Sequence, residues 1–482
     1  VMNNSPSAIR VEHDSLGSME IPADAYWGIH TARAHENFPI AKRPISVYPE
    51  FIRAYACVKQ AAARANAEIG VISQEKANLI DQACEDVKNG MLHDQFVVGV
   101  VQGGAGTSSN MNVNEVITNR ALEIAGHPRG DYAFLNPIDH TNRSQSTNDT
   151  YPTAIKIALA FSLRNLSDEI DLLRNSFLVK SVEFSQILKI GRTQMQDAVP
   201  MTLGQEFHGF ATTIAEDIER LDDAKALLRE INMGATAIGT GITAPLGYKE
   251  TVLRHLNEIT GLNLVTASDL VESTSDTGAF VTFSGALKRS AIKLSKICND
   301  LRLLSSGPQA GFGEINLPPR QAGSSIMPGK VNPVIPEAVS QVAYSIVGAD
   351  VTVTMAAEAG QLQLNAFEPI IAHSLLQSIT WLERACYTLR INCIDGITAN
   401  EDRLADMVAR SVVVITALTP YIGYQEAATL AHTALAANAN VADLVVESGL
   451  LTREEVTRIF EPDRLSGVAP ATSSIAIIRA NQ

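Results

Sequence analysis

Between Thr153 and Ile190 the chain has neither glycine nor proline. Within that window Ile155, Ile157, Leu159, Leu163, Leu166, Ile170 and Leu173 recur at mostly helical spacing. One helix over the whole window spans on the order of 50 Å, which commits the chain to an elongated helical core. Phe210 to Met233, Ala286 to Ser306 and Ile370 to Asp395 have the same character, and strand-like alternation is scarce. The pattern predicts a mainly α protein whose middle is a bundle of long helices. Several of these helices carry apolar or small residues on more than one face. A lone bundle would leave such faces wet, so the bundle is expected to continue into neighbouring subunits of a homo-oligomer.

A chain of 482 residues is long enough for two or three domains and a large buried core. Turn-rich stretches around 136–150 (NPIDHTNRSQSTNDT) and 396–402 (GITANED) mark candidate boundaries. With 46% apolar and 19% charged residues the composition is that of a globular protein. No apolar run approaches the roughly 20 residues of a membrane span. The first residues show no basic region followed by an apolar stretch, so neither a secretory nor a transit signal is expected. Cys57, Cys84, Cys298, Cys386 and Cys393 are odd in number and scattered, which argues against a disulfide framework or zinc site and for a reducing cytoplasm. A net charge of −14 argues against nucleic acid as a partner.

Four polar, glycine-punctuated segments each lead into a helical pattern: GGAGTSSNMN (Gly103 to Asn112), SQSTND (Ser144 to Asp149), GRTQMQD (Gly191 to Asp197) and GSSIMPGKVNP (Gly323 to Pro333). Ser, Thr and Asn are preferred helix caps, and capping accounts for any one of them alone. Four such clusters together make an anion-binding surface of hydroxyls, amides and backbone N–H groups. GSSIMPGKVNP is not a phosphate loop, since five residues separate Gly323 from Gly329 and Val331 stands where Ser or Thr would hold magnesium. No GxGxxG follows a strand pattern, and GxSxG and HExxH are absent. Only His140 and His208 lie near the clusters. Neither a metal nor a cofactor is expected.

The last segment suits a different task, the holding of a carboxylate while a neighbouring C–H proton is removed. The doubly charged aci-carboxylate so formed is accessible only where fixed donors and a cation await it. Backbone N–H groups, Lys330 and Asn332 are such groups, and a serine in the same nest is a candidate base. A surface turn with a solvated lysine is the alternative.

GSSIMPGKVNP closely resembles the signature loop of the aspartase/fumarase superfamily. GGAGTSSNMNVNE, SQSTNDTYPTA, GRTQMQDAVPMTLGQEF, GATAIGTG, QLQLNAFEP and the opening EHDSLGSMEIPADAYWGIHT follow in that superfamily's order. STND, NPVIPE and FEP resemble its aspartate ammonia-lyases rather than its class II fumarases. The resemblance implies three domains, at 1–146 (N-terminal), 147–401 (central helical bundle) and 402–482 (small C-terminal helical). It further implies a homotetramer around a 20-helix core, with each site built from segments of three subunits.

The implied reaction is the reversible deamination of L-aspartate to fumarate and ammonia. Carried over by motif, Ser324 is the base that removes the C3 proton, on a loop that closes over substrate. Lys330 and Asn332 hold the α-carboxylate. Thr107, Ser146, Thr147 and Ser325 grip the β-carboxylate, and Asn148 and Thr193 orient the ammonium group. Gln194 replaces a histidine found in fumarases and some aspartases that pairs with a glutamate equivalent to Glu337. Glutamine cannot titrate. Expelling ammonia needs no acid, so the substitution suits an ammonia-lyase better than a hydratase. A fumarate hydratase, a same-fold lyase for a modified aspartate and a catalytically silent protein are the competing expectations.

Overall fold

The computed structural model describes residues 8–467. The leader expectation, which rests on the first residues, therefore falls partly outside the described residues. The protein is mainly α, as the periodicity predicts. An antiparallel hairpin opens it, β1 (Ile9–Asp14) with β2 (Gly17–Pro22). Helices α1 (Ile29–Asn37), α2 (Pro49–Glu68), α3 (Gln74–Lys88), α4 (Thr107–Ile124) and α5 (Thr147–Glu183) follow. A second antiparallel hairpin, β3 (Leu188–Thr193) with β4 (Gln196–Thr202), leads to α6 (Leu203–Leu227). Next come α7 (Tyr248–Thr260), α8 (Leu270–Ser275), α9 (Gly278–Leu304), α10 (Val334–Glu358) and α11 (Glu368–Asn392). From α12 (Glu401–Arg410) onward the described chain has only short helical elements. No single helix among the described residues is long and apolar enough to cross a membrane.

The long helices sit where the periodicity puts them, but their ends differ. The 37-residue α5 begins six residues before Thr153, because Pro152 is accommodated in its first turns. Proline lacks the N–H that would bond the Asn148 carbonyl, and the Asn232 side-chain amide supplies that bond at 3.1 Å. The helix stops at Glu183, and Leu188 to Ile190, expected as helix, are strand. Helix α6 begins at Leu203, ahead of the expected Phe210, and includes Gly204. A Cβ at Gly204 would lie 2.4 Å from the Ser181 carbonyl, so glycine permits a close backbone approach there.

The chain divides into two compact units, each assembled from three stretches. The first comprises residues up to Asp168, Asp217–Ile292 and Val342–Glu383; the second comprises Glu169–Glu216, Lys293–Gln341 and Arg384 onward. Each of α5, α6, α9, α10 and α11 is cut by this division.

In the first unit α2 packs on α3 and α7, and α3 on α4. The start of α1 is clasped by buried carboxylates. Glu115 accepts the N–H groups of Gly28 (2.6 Å), His30 (2.8 Å) and Thr31 (3.2 Å) and the Thr31 hydroxyl (2.7 Å), while Glu12 accepts Ile29 N–H at 2.8 Å. These fill the orphan donors of a helix N-terminus. Burial pushes the Glu115 carboxyl up to about 7, against the pull of its donors. In the second unit Val414, Leu418, Tyr421, Leu430, Val445 and Val456 form an apolar core with Ile190 of β3.

Candidate active site

Two of the polar segments meet in the first unit. Helix α5 starts on Ser146, whose Oγ accepts the Asn148 N–H at 3.2 Å, while Asp149 Oδ1 accepts the Ser146 N–H at 3.0 Å. Ser146 and Asp149 together cap the helix start, so the capping account of STND is also true of it. Asp149 does more than cap. Its second oxygen accepts the N–H groups of Gly234 (3.2 Å) and Thr236 (2.9 Å), tying the GATAIGTG segment to the helix start. The carboxyl is fully buried, and burial pushes it up to about 7 despite three backbone donors and the neighbouring Lys59.

Helix α4 enters beside α5. A Cβ on Gly106 would fall 2.4 Å from the Tyr151 ring, and Gly106 sits at φ 96°, so only glycine serves at this entry. The approach lets Asn110 Nδ2 donate to Thr147 Oγ1 at 3.0 Å. Thr107, exposed in the first turn of α4, donates its hydroxyl to the Gly104 carbonyl at 2.8 Å. Thr107, Ser146, Thr147 and Asn148 thus belong to two helix starts joined by a hydrogen bond.

The polarity of this wall follows from its bonds. Thr147 Oγ1 is occupied as an acceptor, and its own proton has no acceptor among the described residues. Asn148 Nδ2 donates to the Ala237 carbonyl at 2.7 Å, which leaves its Oδ1 to accept. A carboxylate and an N–H donor side by side are what such a surface takes.

The other two segments lie in the second unit. In GSSIMPGKVNP the Gly323 N–H donates to the Lys330 carbonyl at 2.8 Å, and Asn332 Nδ2 to the Gly323 carbonyl at 2.9 Å, closing the loop on itself. A Cβ on Gly323 would lie 2.5 Å from the Lys330 carbonyl oxygen, so a side chain there opens the ring. Within it, Ser324 Oγ accepts two backbone N–H groups, of Ile326 at 3.2 Å and Met327 at 3.1 Å. Donors aimed at a hydroxyl oxygen favour its anion, which a serine base requires. Ser325 and Lys330 are exposed, and Lys330 has no ion-pair partner among the described residues. Glu337 lies in the first turn of α10.

GRTQMQD corrects an expectation: it does not start a helix but forms the turn of the β3–β4 hairpin. Gln194 and Met195 have φ of 54° and 64°, the left-handed pair that lets a two-residue turn match the twist of its strands. Asparagine and glycine usually fill these places, and two larger side chains make the turn a strained one. Its root is charged and buried. Glu314 pairs with Lys189 at 2.8 Å and Arg192 at 2.6 Å, Lys189 also pairs with Glu206 at 2.6 Å, and Arg192 lies over the Phe312 ring at 4.2 Å. Thr193 and Gln194 are exposed at the tip. Of the two histidines, His140 accepts the Asn136 N–H at 2.8 Å in a turn over Pro137–Thr141, and His208 is exposed on α6.

Sequence reasoning missed the layer beneath the first wall: Lys59, Asn110, Asn142, Gln145 and Asp149. A lysine within the alanine-rich YACVKQAAA stretch of α2 was the available signal.

Comparison with known proteins identifies the family of the chain. The sequence profile of a lyase family matches residues 17–348, and that of the fumarase C C-terminus matches 414–467. The aspartate ammonia-lyase of Pseudomonas aeruginosa is 54% identical over 96% of this chain and 97% of its own. That of Escherichia coli is 53% identical over 95% of this chain and 96% of its own. Among solved structures, a fumarate lyase:delta crystallin from Brucella melitensis, bound to cobalt, superposes with a TM-score of 0.92 at 52% identity, over 96% of this chain and 100% of that one. A class II fumarase from Schistosoma mansoni gives 0.89 at 32% identity, over 96% and 100%. With the polar segments in place and likeness over nearly its whole length, the chain belongs to the aspartase/fumarase superfamily of lyases.

Proposed function

We propose that the protein is an aspartate ammonia-lyase, a carbon–nitrogen lyase that converts L-aspartate to fumarate and ammonia and runs the reverse addition. The observation that carries this reading is the polarity of the first wall, with a hydroxyl free to donate at Thr147 beside an amide oxygen free to accept at Asn148. The β-carboxylate takes its place against Thr107, Ser146, Thr147 and Ser325. The ammonium group donates to Asn148 and Thr193, and the α-carboxylate pairs with Lys330 and Asn332.

Ser324, as alkoxide, takes the C3 proton. The C–H electron pair moves into the β-carboxylate as the aci form, stabilised by the donors around it. It then returns to make the C2–C3 double bond, and the C2–N bond breaks with its electrons leaving on neutral ammonia. No acid is needed at that step, so the non-titrating Gln194 is no obstacle. A hydratase expelling hydroxide would need one, which favours aspartate over malate.

The working form is a homotetramer in which segments of three subunits build each site, and closure of the Gly323–Pro333 loop precedes proton transfer. Exposed apolar side chains on the long helices support the assembly: Val179 and Val182 on α5, Tyr344, Val351 and Met355 on α10, and Tyr387 on α11. Helix starts at Thr147 and Glu401 support the three-part division at 1–146, 147–401 and 402–482. Five buried free thiols support a cytoplasmic location.

The test is the ultraviolet absorbance of fumarate, followed on L-aspartate and L-malate with ammonia quantified in both. Fumarate and ammonia in equal amounts from aspartate, with malate inert, is the expected result; turnover of malate alone makes the protein a fumarate hydratase.

A further inference from the structure

The β3–β4 hairpin stands on a buried carboxylate, Glu314, to which the proposed chemistry gives no part. Positions three apart on a regular strand face opposite sides, yet Lys189 and Arg192 of β3 both meet this one group, at 2.8 and 2.6 Å. The pairing explains it. Its register shifts between Ile190 and Arg192, where two residues of β4, Ala198 and Val199, stand opposite Gly191. A bulge of this kind bends the ribbon and tightens its twist, which carries Arg192 round to the side of Lys189. Glu314 thus holds the strand on both sides of the irregularity.

Glu314 is itself fixed from both sides. Its N–H donates to the Leu304 carbonyl at the end of α9, and its carbonyl accepts the Asn400 N–H ahead of α12, each at 2.9 Å. The charges of Lys189, Arg192, Glu206 and Glu314 cancel, and the Arg192 guanidinium is also flanked by the Phe312 ring. Apolar side chains of like volume are often as stabilising as a buried ion pair, so what this network adds is direction. The tip beyond it needs direction. Thr193, Gln194 and Met195 are exposed, the turn is left-handed at two side-chain-bearing residues, and the bond from Gln196 Nε2 to the Met195 carbonyl at 3.2 Å is local. Neighbouring side chains on a strand point to opposite sides, so drawing Arg192 inward onto Glu314 turns Thr193 outward.

We infer that Glu314 is a positioning residue for the amino group: through Arg192 it sets the direction in which Thr193 leaves the strand, and with it the hold of the site on ammonia. The inference rests on the proposed reading of Thr193 as a partner of the substrate ammonium. It separates two substrates of the reverse reaction. Fumarate is gripped by its carboxylates elsewhere, so a misdirected Thr193 weakens the site for ammonia and spares fumarate. A support that served only to keep the protein folded would not distinguish them.

The experiment is steady-state kinetics of fumarate amination by the full-length assembled protein, with fumarate and ammonia varied separately, beside amide hydrogen exchange over residues 190–197 read by mass spectrometry. In Glu314→Gln the KM for ammonia should rise about tenfold or more, as expected for a misplaced binding group, while the KM for fumarate and the inhibition constant of succinate stay within about twofold. The hairpin amides should exchange faster. Glu314→Asp, which keeps the charge on a shorter arm, should recover part of the ammonia KM. The charge-matched pair Glu314→Gln/Arg192→Met should be no worse than Arg192→Met alone, since both changes act on one line; it decides the question if Glu314→Gln does not assemble. A fall in kcat with both KM values unchanged makes Glu314 a structural support and overturns the inference, as does an equal rise in both KM values or a defect in the pair that is the sum of its parts. If the native protein forms no fumarate from aspartate, the aspartase reading falls; unchanged hairpin exchange in Glu314→Gln then overturns the positioning role on its own.

Discussion

The wall at the start of α5 and the Gly323–Pro333 loop are both read as gripping the same small dianion, yet they are built in opposite ways. The wall stands on buried groups. Asp149 holds three backbone N–H groups, Lys59 holds three amide oxygens, and Asn232 fills the bond that Pro152 cannot make. The loop is exposed, closed by bonds between its own ends, and its serine is supported by its own backbone. The difference separates two tasks. A site that must present fixed donors to developing charge gains from a rigid, solvent-free floor. A segment that must admit substrate and then cover it gains from having few anchors outside itself.

Perturbing the loop should cost turnover and spare stability; perturbing the wall should cost both. The largest effect is expected for Ser324→Ala. Loss of a general base lowers kcat by about 10²–10⁴-fold, with the thermal midpoint and assembly unchanged. Near-normal turnover in that variant removes Ser324 from the role of base. Next is Gly323→Ala, which opens the Gly323–Lys330 ring. A fall in kcat/KM of about 100-fold is expected from misplacement of groups by an ångström or so, again without loss of stability. If its urea midpoint falls as far as that of a wall variant, the loop is not the independent element described.

Asp149→Asn tests the wall. An amide in place of a carboxylate turns an NH2 toward backbone donors, at a cost of about 1–3 kcal/mol for the unsatisfied buried group. Its pH dependence has a definite sign. Asp149 is raised from 3.8 to about 7, so the folded protein holds a proton that the unfolded chain releases between those values. The stability it contributes is fully present below about 3.8 and is lost as pH rises through about 7. Asparagine does not titrate, so the difference in urea midpoint between the native protein and the variant should be larger at pH 5.5 than at pH 8. A constant difference would place the Asp149 carboxyl at its ordinary value. The smallest effect is expected at the hairpin tip. Met195→Gly relieves a left-handed side chain and should raise stability by roughly 0.5–1 kcal/mol, read from the shift of the denaturation midpoint.

The contrast also sets how much was legible in the sequence. The loop announces itself because its chemistry and its local geometry lie in one stretch: Gly323, Ser324, Lys330 and Asn332 fall within ten residues. The outer members of the wall, Thr107 and Ser146 to Asn148, are equally legible as polar helix starts. Its floor is not. Lys59, Asn110, Asn142 and Asp149 come from α2, α4, a turn and α5, and only the packing of α2 against its neighbours joins them. The helices were legible by period but not at their ends, because absence of glycine and proline marks neither where a helix stops nor where one tolerates them. Pro152 is rescued by a side chain 80 positions away, Gly204 is demanded by a crossing backbone, and Leu188 to Ile190 are apolar enough to pass for helix until they pair with β4. GRTQMQD departs from the expected helix start for a related reason: nothing in Gln194 and Met195 favours a left-handed turn, and the hairpin imposes it.

The division that cuts all five long helices bears on how the molecule comes into being. No stretch of the gene encodes either unit by itself: the first lacks Val342–Glu383, and the second the residues from Arg384, until late in synthesis. At about 5–20 residues per second, translation takes on the order of half a minute or more to supply the closing stretches, and until then the earlier stretches of both units wait for the residues that complete them. Neither unit is one contiguous segment of the chain, so neither can be excised as a single piece or completed before the last of its three stretches has been made.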